Sequence, residues 1–295
     1  MIWIIGNKGM LGRELSQLLE QSGVSYLGSD LEVSILDYSR LKEFSTNRRI
    51  SVVINCSAYT AVDKAESDSE MAYHINADGV ANIAQVAADM GALLIHISTD
   101  YVFDGNNSQP LNEESSTNPN GVYGRSKLAG ENEIKRICQK YFIVRTSWLY
   151  GKFGQNFVFT MLKLMNSKSS IKVVNDQIGS PTWAKDLCEF IIAITNSGSR
   201  NFGIYHFSGD GQCSWYEFAQ EIYQLGMESG IIKNKCETLP CFSDEYPTAA
   251  KRPKYSLLSK SKAKDVFGFD IPGWKASLNR FIYDIKDEYK GESLA

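Results

Sequence analysis

The chain has 295 residues, 43% of them hydrophobic, which is enough to bury a substantial core in one large domain or two closely packed ones and is not the composition of a disordered segment. A net charge of −3 and a pI near 5.8 exclude a protein whose business is the phosphate backbone of nucleic acid. Residues 1–5 are apolar but meet Gly6 at once, too short for a signal core or a membrane span, so the expectation is a cytoplasmic protein with no membrane partner.

The short apolar run at 2–5 leads into Gly6-Asn7-Lys8-Gly9-Met10-Leu11-Gly12, and Leu11, Leu15, Leu18 and Leu19 then fall on one helical stripe. Strand, glycine loop and helix in that order form a cradle for a pyrophosphate. Gly6, Gly9 and Gly12 let the chain turn and pack closely, and the backbone at Met10 and Leu11 opens the helix N-terminus toward the anion. A second strand at 25–29 ends at Asp30, about 20 residues past the loop, where a carboxylate accepts from the adenosine ribose hydroxyls. That placement favours NADH, while Lys8, Arg13 and Arg40 leave NADPH open. Asp37-Tyr38 opens a polar helix, a third strand covers 52–56, and the small residues Ser57-Ala58 before Tyr59 leave room for a dinucleotide. Residues 66–90 have helical period with Asn76 assigned to core hydrogen bonding, a fourth strand covers 93–97, a helix 121–138, and a fifth strand 142–146. Alternation at this rhythm predicts an α/β fold: a Rossmann-type doubly wound parallel sheet with right-handed crossovers.

After Trp148 the rhythm weakens. The expected organisation is a dinucleotide-binding domain over 1–150, with a segment at about 171–190 returning to its sheet, and a smaller α/β substrate-binding lobe over most of 151–295. Helices are expected at 155–166, 183–196 and 214–228 and a strand at 171–174. Arg252, its backbone limited by Pro253, is the preferred ligand for a diphosphate. Trp274 and Phe281 serve either a homodimer interface or the cap of the smaller lobe, with the cap favoured. Six cysteines without a CxxC read as reduced thiols, those at 56 and 188 as buried ones, and three isolated histidines disfavour zinc.

Tyr123 and Lys127 carry the chemistry. Four apart on one helix, their Cβ atoms would lie about 5–6 Å from each other. An ammonium beside a phenol lowers the phenol's pKa toward the range useful for acid–base work on a carbonyl. Thr99, at the carboxyl end of the fourth strand, could bond the same oxygen.

These blocks together resemble the dTDP-4-dehydrorhamnose reductase family of extended short-chain dehydrogenase/reductases. The likeness spans nearly the whole chain: Gly6-x-x-Gly9-x-x-Gly12, Ala58-Tyr59-Thr60-Ala61-Val62-Asp63-Lys64-Ala65-Glu66, Ser98-Thr99-Asp100-Tyr101-Val102-Phe103-Asp104-Gly105, Tyr123-Gly124-x-Ser126-Lys127, Arg145-Thr146-Ser147-Trp148, Asp176-Gln177-x-Gly179-x-Pro181-Thr182 and Arg252-Pro253. The resemblance implies an NADPH or NADH cofactor, a sugar-nucleotide substrate, and Thr99, Tyr123 and Lys127 as the catalytic triad. It places Trp148, Asn156 and Arg252 by the sugar nucleotide, Asp37 and Tyr38 by the adenine, and Ala58 and Tyr59 along the dinucleotide. Some members are described with a divalent metal such as Mg2+, and Glu14 stands where a contributing carboxylate would be, though one carboxylate makes no site. Gly121 departs from the family's usual Asn two residues before the tyrosine, which would loosen the entry to the helix. The competing expectation is a non-catalytic dinucleotide-binding regulatory subunit of the same fold, and within the enzyme class a reductase of another nucleotide-linked 4-keto-6-deoxy sugar.

Overall fold

The computed structural model describes residues 1–289. Five apolar runs form parallel strands β1 (Ile2–Ile5), β2 (Tyr26–Ser29), β3 (Val52–Asn55), β4 (Leu93–Thr99) and β5 (Tyr141–Thr146), and the sixth strand of the sheet is Gly203–His206. Their order, from Gly203–His206 through β5, β4, β3 and β1 to β2, reverses chain direction between β1 and β3. In open parallel sheets ligands bind outside the carboxyl ends of the strands at such a reversal. Gly6 leaves β1 and Cys56 leaves β3 at that point.

The two faces of the sheet bury separate apolar layers. Ile4, Ile54, Ile95 and Val144 pack against Leu187, Phe190 and Ile191 of helix Ala184–Ser197. Trp3, Val53, Leu94 and Ile143 pack against Val80, Ile83 and Ala84 of helix Gly79–Asp89. A third core, built from Phe159, Leu162, Phe218, Ile222, Leu278 and Phe281, belongs to the later half of the chain. Trp274 and Phe281 are both buried in it, as the capping expectation holds.

Three sequence expectations change. Strand Ser170–Val174, at the start of the segment at about 171–190 expected to return to the sheet, pairs instead with Glu237–Cys241; the helix beginning at Ala184 within that segment lies on the sheet, and the strand that extends it is Gly203–His206, beyond the segment. The expected helix over 66–90 runs from Ser69 to Asp89 and is interrupted by a π turn at His74–Asp78. Asn76 sits in that turn, fully buried, where the wider coil carries its amide to two other elements. All six cysteines are free, but Cys56 is only half-buried.

Candidate active site

The glycine loop closes on itself through backbone contacts that only glycine permits. Gly6 has φ +77°, and a Cβ at Gly12 would fall 2.2 Å from the Gly6 carbonyl oxygen, so helix Met10–Gln21 starts directly against the turn. In front of the loop lies a groove of about 460 Å³ lined by Gly6, Lys8, Gly9, Asp30, Ala58 and Tyr59, among others. The Asp30 carboxylate is fixed by the backbone amides of Lys8 (3.0 Å) and Leu31 (2.9 Å), and the Lys8 ammonium turns away to Glu32 at 2.9 Å. Met10, Leu11 and Gly12 stand behind this surface, with Leu11 and Gly12 buried. Asp37 and Tyr38 lie outside the lining: Asp37 caps helix Tyr38–Ser45 by accepting from the Arg40 amide at 3.1 Å, and the Tyr38 phenol donates to Asp89 at 2.5 Å. Glycines without Cβ atoms, a half-exposed acid and an open groove fit a dinucleotide.

Tyr123 and Lys127 lie in helix Val122–Ile137. The helix is seated by backbone-to-backbone approach, since a Cβ at Gly124 would fall 2.1 Å from the Tyr101 carbonyl oxygen. Its entry is tight. Glu66 caps it by accepting from the Val122 amide at 2.8 Å, and a Cβ on Gly121 would lie 2.7 Å from that same carboxylate. The loosening expected of Gly121 is therefore met by Glu66, which occupies the space a side chain would take. Asn76 joins the walls of the site: its oxygen accepts from the Tyr59 amide (2.9 Å), and its NH2 donates to the Tyr59 carbonyl (3.1 Å) and the Ser126 hydroxyl (3.0 Å).

The Tyr123 ring lies edge-on to Tyr101, centroids 5.5 Å apart, and both Tyr123 and Tyr59 of the dinucleotide groove pack against the small cluster of Ala65, Ala72 and Val122. Burial raises the Tyr123 pKa above its ordinary value, opposed by the nearby Thr99 hydroxyl and helped by Asp100 and Tyr101. The sequence expectation was a phenol lowered by Lys127. Lys127 instead sends its nitrogen inward, donating to the Ile97 carbonyl at 2.7 Å and lying 3.3 Å from His96 Nε2, and burial holds its own pKa down to about 8 against the opposing charge of Glu131. The phenol is neutral, the form a proton donor requires. Thr99 ends β4; its hydroxyl donates to Asp100 at 3.0 Å and accepts from the Tyr101 amide at 3.2 Å.

A second, larger cleft, about 920 Å³, is lined by residues including Phe157, Gln177, Trp215, Tyr246, Lys251 and Arg252. Arg252 pairs with Asp63 at 2.9 Å and bears on the Tyr101 hydroxyl, whose pKa its charge lowers against burial, the larger effect, which leaves it at about 12. Trp148, at φ +48°, is stacked on Trp215 with centroids 3.6 Å apart, and a Cβ on Gly179 would meet its ring at 2.7 Å. Trp215 was not anticipated, because nothing in its neighbourhood in sequence marks it. Asn156 is committed to capping helix Phe157–Ser167, accepting from the Phe159 amide at 3.2 Å and donating to the Gly151 carbonyl at 2.8 Å, and is not brought to the cleft.

For a divalent metal the candidate is Glu14, whose Oε2 is buried without a hydrogen-bond partner among the described residues. Among the described residues no three acidic, histidine or cysteine side chains gather to hold one. Glu14 is buried, and burial raises its pKa; Asp284 and Glu189 add to that, but the ammonium groups of Lys152 and Lys185 lie in the same field. Lys152 itself pairs with Asp284 at 3.4 Å and Glu288 at 3.5 Å, and one carboxylate makes no site.

A parallel sheet with a glycine turn at its reversal point, a tyrosine and lysine four apart on one helix, and a threonine at the end of β4 define a short-chain dehydrogenase/reductase. The chain belongs to the family described as RmlD substrate binding domain, whose profile matches residues 1–286, and which includes the dTDP-4-dehydrorhamnose reductases. It is 38% identical over 285 residues to the spore coat polysaccharide biosynthesis protein SpsK of Bacillus subtilis, covering 96% of this chain and 97% of that one. The crystal structure of a dTDP-4-dehydrorhamnose reductase from Clostridium acetobutylicum, 41% identical, superposes with a TM-score of 0.90 over 97% of this chain and 99% of that one. That of the Bacillus anthracis dTDP-4-dehydrorhamnose reductase in complex with NADP, 39% identical, also gives 0.90, covering 96% and 98%.

Proposed function

We propose that the protein reduces the C4 keto group of dTDP-4-dehydro-β-L-rhamnose to give dTDP-L-rhamnose, the last step in making that sugar nucleotide, and does so in the cytoplasm. Bound NADPH or NADH supplies the hydride. The observation that carries this reading is the setting of Tyr123: its ring meets Tyr101, on which Arg252 of the larger cleft bears, and its helix is tied through Ser126 and Asn76 to the Tyr59 backbone of the glycine-turn groove. The neutral Tyr123 phenol gives its proton to the substrate oxygen as negative charge builds there. Thr99 turns its hydroxyl from Asp100 to the same oxygen, and Lys127 anchors the nicotinamide ribose. Arg252 meets the diphosphate, and the Trp148–Trp215 stack walls the remainder of the sugar nucleotide. Residues 1–150 with Gly203–His206 thus serve the dinucleotide, and most of 151–295 the substrate. With Trp274 and Phe281 committed to the core, a homodimer would have to use another face.

Following nicotinamide absorbance with dTDP-, UDP- and GDP-linked 4-keto sugars tests both reaction and substrate. Turnover should be greatest with the dTDP sugar, and Tyr123→Phe should lower it by roughly 10²–10⁴-fold while dinucleotide binding persists. Near-wild-type turnover in Tyr123→Phe removes that residue from the role.

A further inference from the structure

The reduction just proposed uses Lys127 but not the buried ring against it. His96 is fully buried on β4, with Nε2 3.3 Å from Lys127 Nζ and Nδ1 3.0 Å from Asn55 Nδ2. Ser57 settles which end of the Asn55 amide faces the ring. Its backbone N–H, which can only donate, meets Asn55 Oδ1 at 3.0 Å, and its hydroxyl donates to the same oxygen at 2.6 Å. The NH2 end of Asn55 therefore points to His96 and donates to Nδ1, which must be the bare nitrogen. A neutral imidazole with Nδ1 bare carries its proton on Nε2. That N–H is aimed at the lysine nitrogen, where only an amine lone pair can accept it; the Ile97 carbonyl at 2.7 Å accepts from amine and ammonium alike, so it is the His96 side that distinguishes them.

We propose that His96, held by Asn55 as the Nε2–H tautomer, is a positioning residue that favours the uncharged amine of Lys127 over its ammonium.

The groups around Lys127 agree. Burial and the Lys127 charge keep His96 far below the ordinary histidine range, so the ring stays neutral. Glu131, one turn further along the helix, is the carboxylate that pulls the other way, but it is engaged by Arg145 of β5 at 2.9 and 2.7 Å and by the Ser98 hydroxyl at 2.6 Å. Tyr123, one turn back, is protonated, and β3 contributes the neutral Asn55. The consequence for catalysis is that the ammonium form, which steadies a tyrosine that has given up its proton, is lost on the alkaline side within the working range. The proposal rests on Lys127 being part of the site, yet its charge state is measurable without turnover.

The test is a pH titration of the Lys127 side chain by NMR in the full protein with isotope-labelled lysine, its signal assigned by its loss in Lys127→Arg. In the wild type the midpoint should lie at about 8 or below. His96→Gln puts an amide near Nε2 whose carbonyl can turn to the ammonium, and the midpoint should rise by about one unit, tenfold in proton affinity. Asn55→Asp keeps an oxygen for Ser57, replaces the donor to Nδ1 with an acceptor and so bares Nε2; it should move the midpoint the same way. In both variants the alkaline limb of kcat/KM should follow. A wild-type midpoint above about 10 overturns the proposal, as do folded variants in which activity falls equally at every pH with the midpoint unmoved. Failure of the reductase assay alone leaves the titration, and the proposal, standing.

Discussion

Asp100 controls where the Thr99 hydroxyl points, and it is held in an environment poor for a charge. The Thr99 hydroxyl donates to Asp100 at 3.0 Å, and burial raises the carboxyl's pKa to about 6 although bonds from Ser256 and Thr99 lower it. An unfolded aspartate titrates at about 3.9. The folded state thus binds this proton more tightly: the stabilising contribution is complete below about pH 4 and is lost as pH rises through 6, at a cost on the order of 3 kcal/mol when fully charged. Asp100→Asn keeps an acceptor for Thr99 and removes the charge. Its melting temperature relative to wild type should be highest above pH 7 and should fall as pH is lowered toward 5, and a constant difference across that range would exclude the charge as the cause. Thr99→Val should raise the barrier by about 2.7–4 kcal/mol, read as kcat with KM for the dinucleotide unchanged, because a donor to developing charge acts in the transition state.

At the level of elements, the catalytic helix Val122–Ile137 is clamped at two glycines. A Cβ on Gly124 would lie 2.1 Å from the Tyr101 carbonyl oxygen, and one on Gly130 2.0 Å from that of Asn76. Both Gly124→Ala and Gly130→Ala should destabilise by about 1–3 kcal/mol through overpacking. Only Gly124→Ala, beside the phenol and against the turn that follows Thr99, should also lower kcat; equal kcat losses after correction for folded fraction would mean the helix moves as a rigid rod. The helix itself and the spacing of Tyr123 and Lys127 were legible in the sequence, as were β1 to β5, because apolar period and glycine placement are local properties. The direction of the Lys127 amine was not, since spacing fixes a face of the helix but not which carbonyl or ring receives the side chain. The π turn at His74–Asp78 was also hidden: one extra residue per turn barely disturbs the apolar pattern, and its reason, Asn76 reaching Tyr59 and Ser126, lies outside the segment. The sixth strand, four residues long, meets β5 only after about sixty intervening residues, and no short-range pattern announces that return.

Across the whole molecule, the site is made where late segments cross the ends of early ones. Gly105, at φ +76°, lies so close to Pro253 that a Cβ would come within 2.5 Å of it, and the Tyr255 amide donates to the Gly105 carbonyl at 3.2 Å, which brings Arg252 over Tyr101 and Asp63. Trp148 follows β5 directly in a left-handed backbone that costs a non-glycine residue on the order of 1–3 kcal/mol. It is held there by Trp215 and Gly179, and both Trp148 and Trp215 pack against the core of the later half. The halves meet in this aromatic wall as well as where helix Ala184–Ser197 and strand Gly203–His206 join the sheet, none of it through the catalytic triad, and binding of the two ligands should be separable by mutation. Trp215→Ala removes the outer ring of that wall without touching the glycine turn, Tyr59 or Asp30. It should raise KM for the sugar nucleotide by an amount in the range of one lost aromatic stack, about 1–3 kcal/mol or roughly five- to hundredfold. The dissociation constant of the dinucleotide, measured by calorimetry on the same variant, should stay within about twofold of wild type, because neither Trp215 nor its ring partners Trp148, Phe157 and Phe218 line the groove. If both constants worsen together, the later half does more than bind substrate: it also holds the dinucleotide groove in shape.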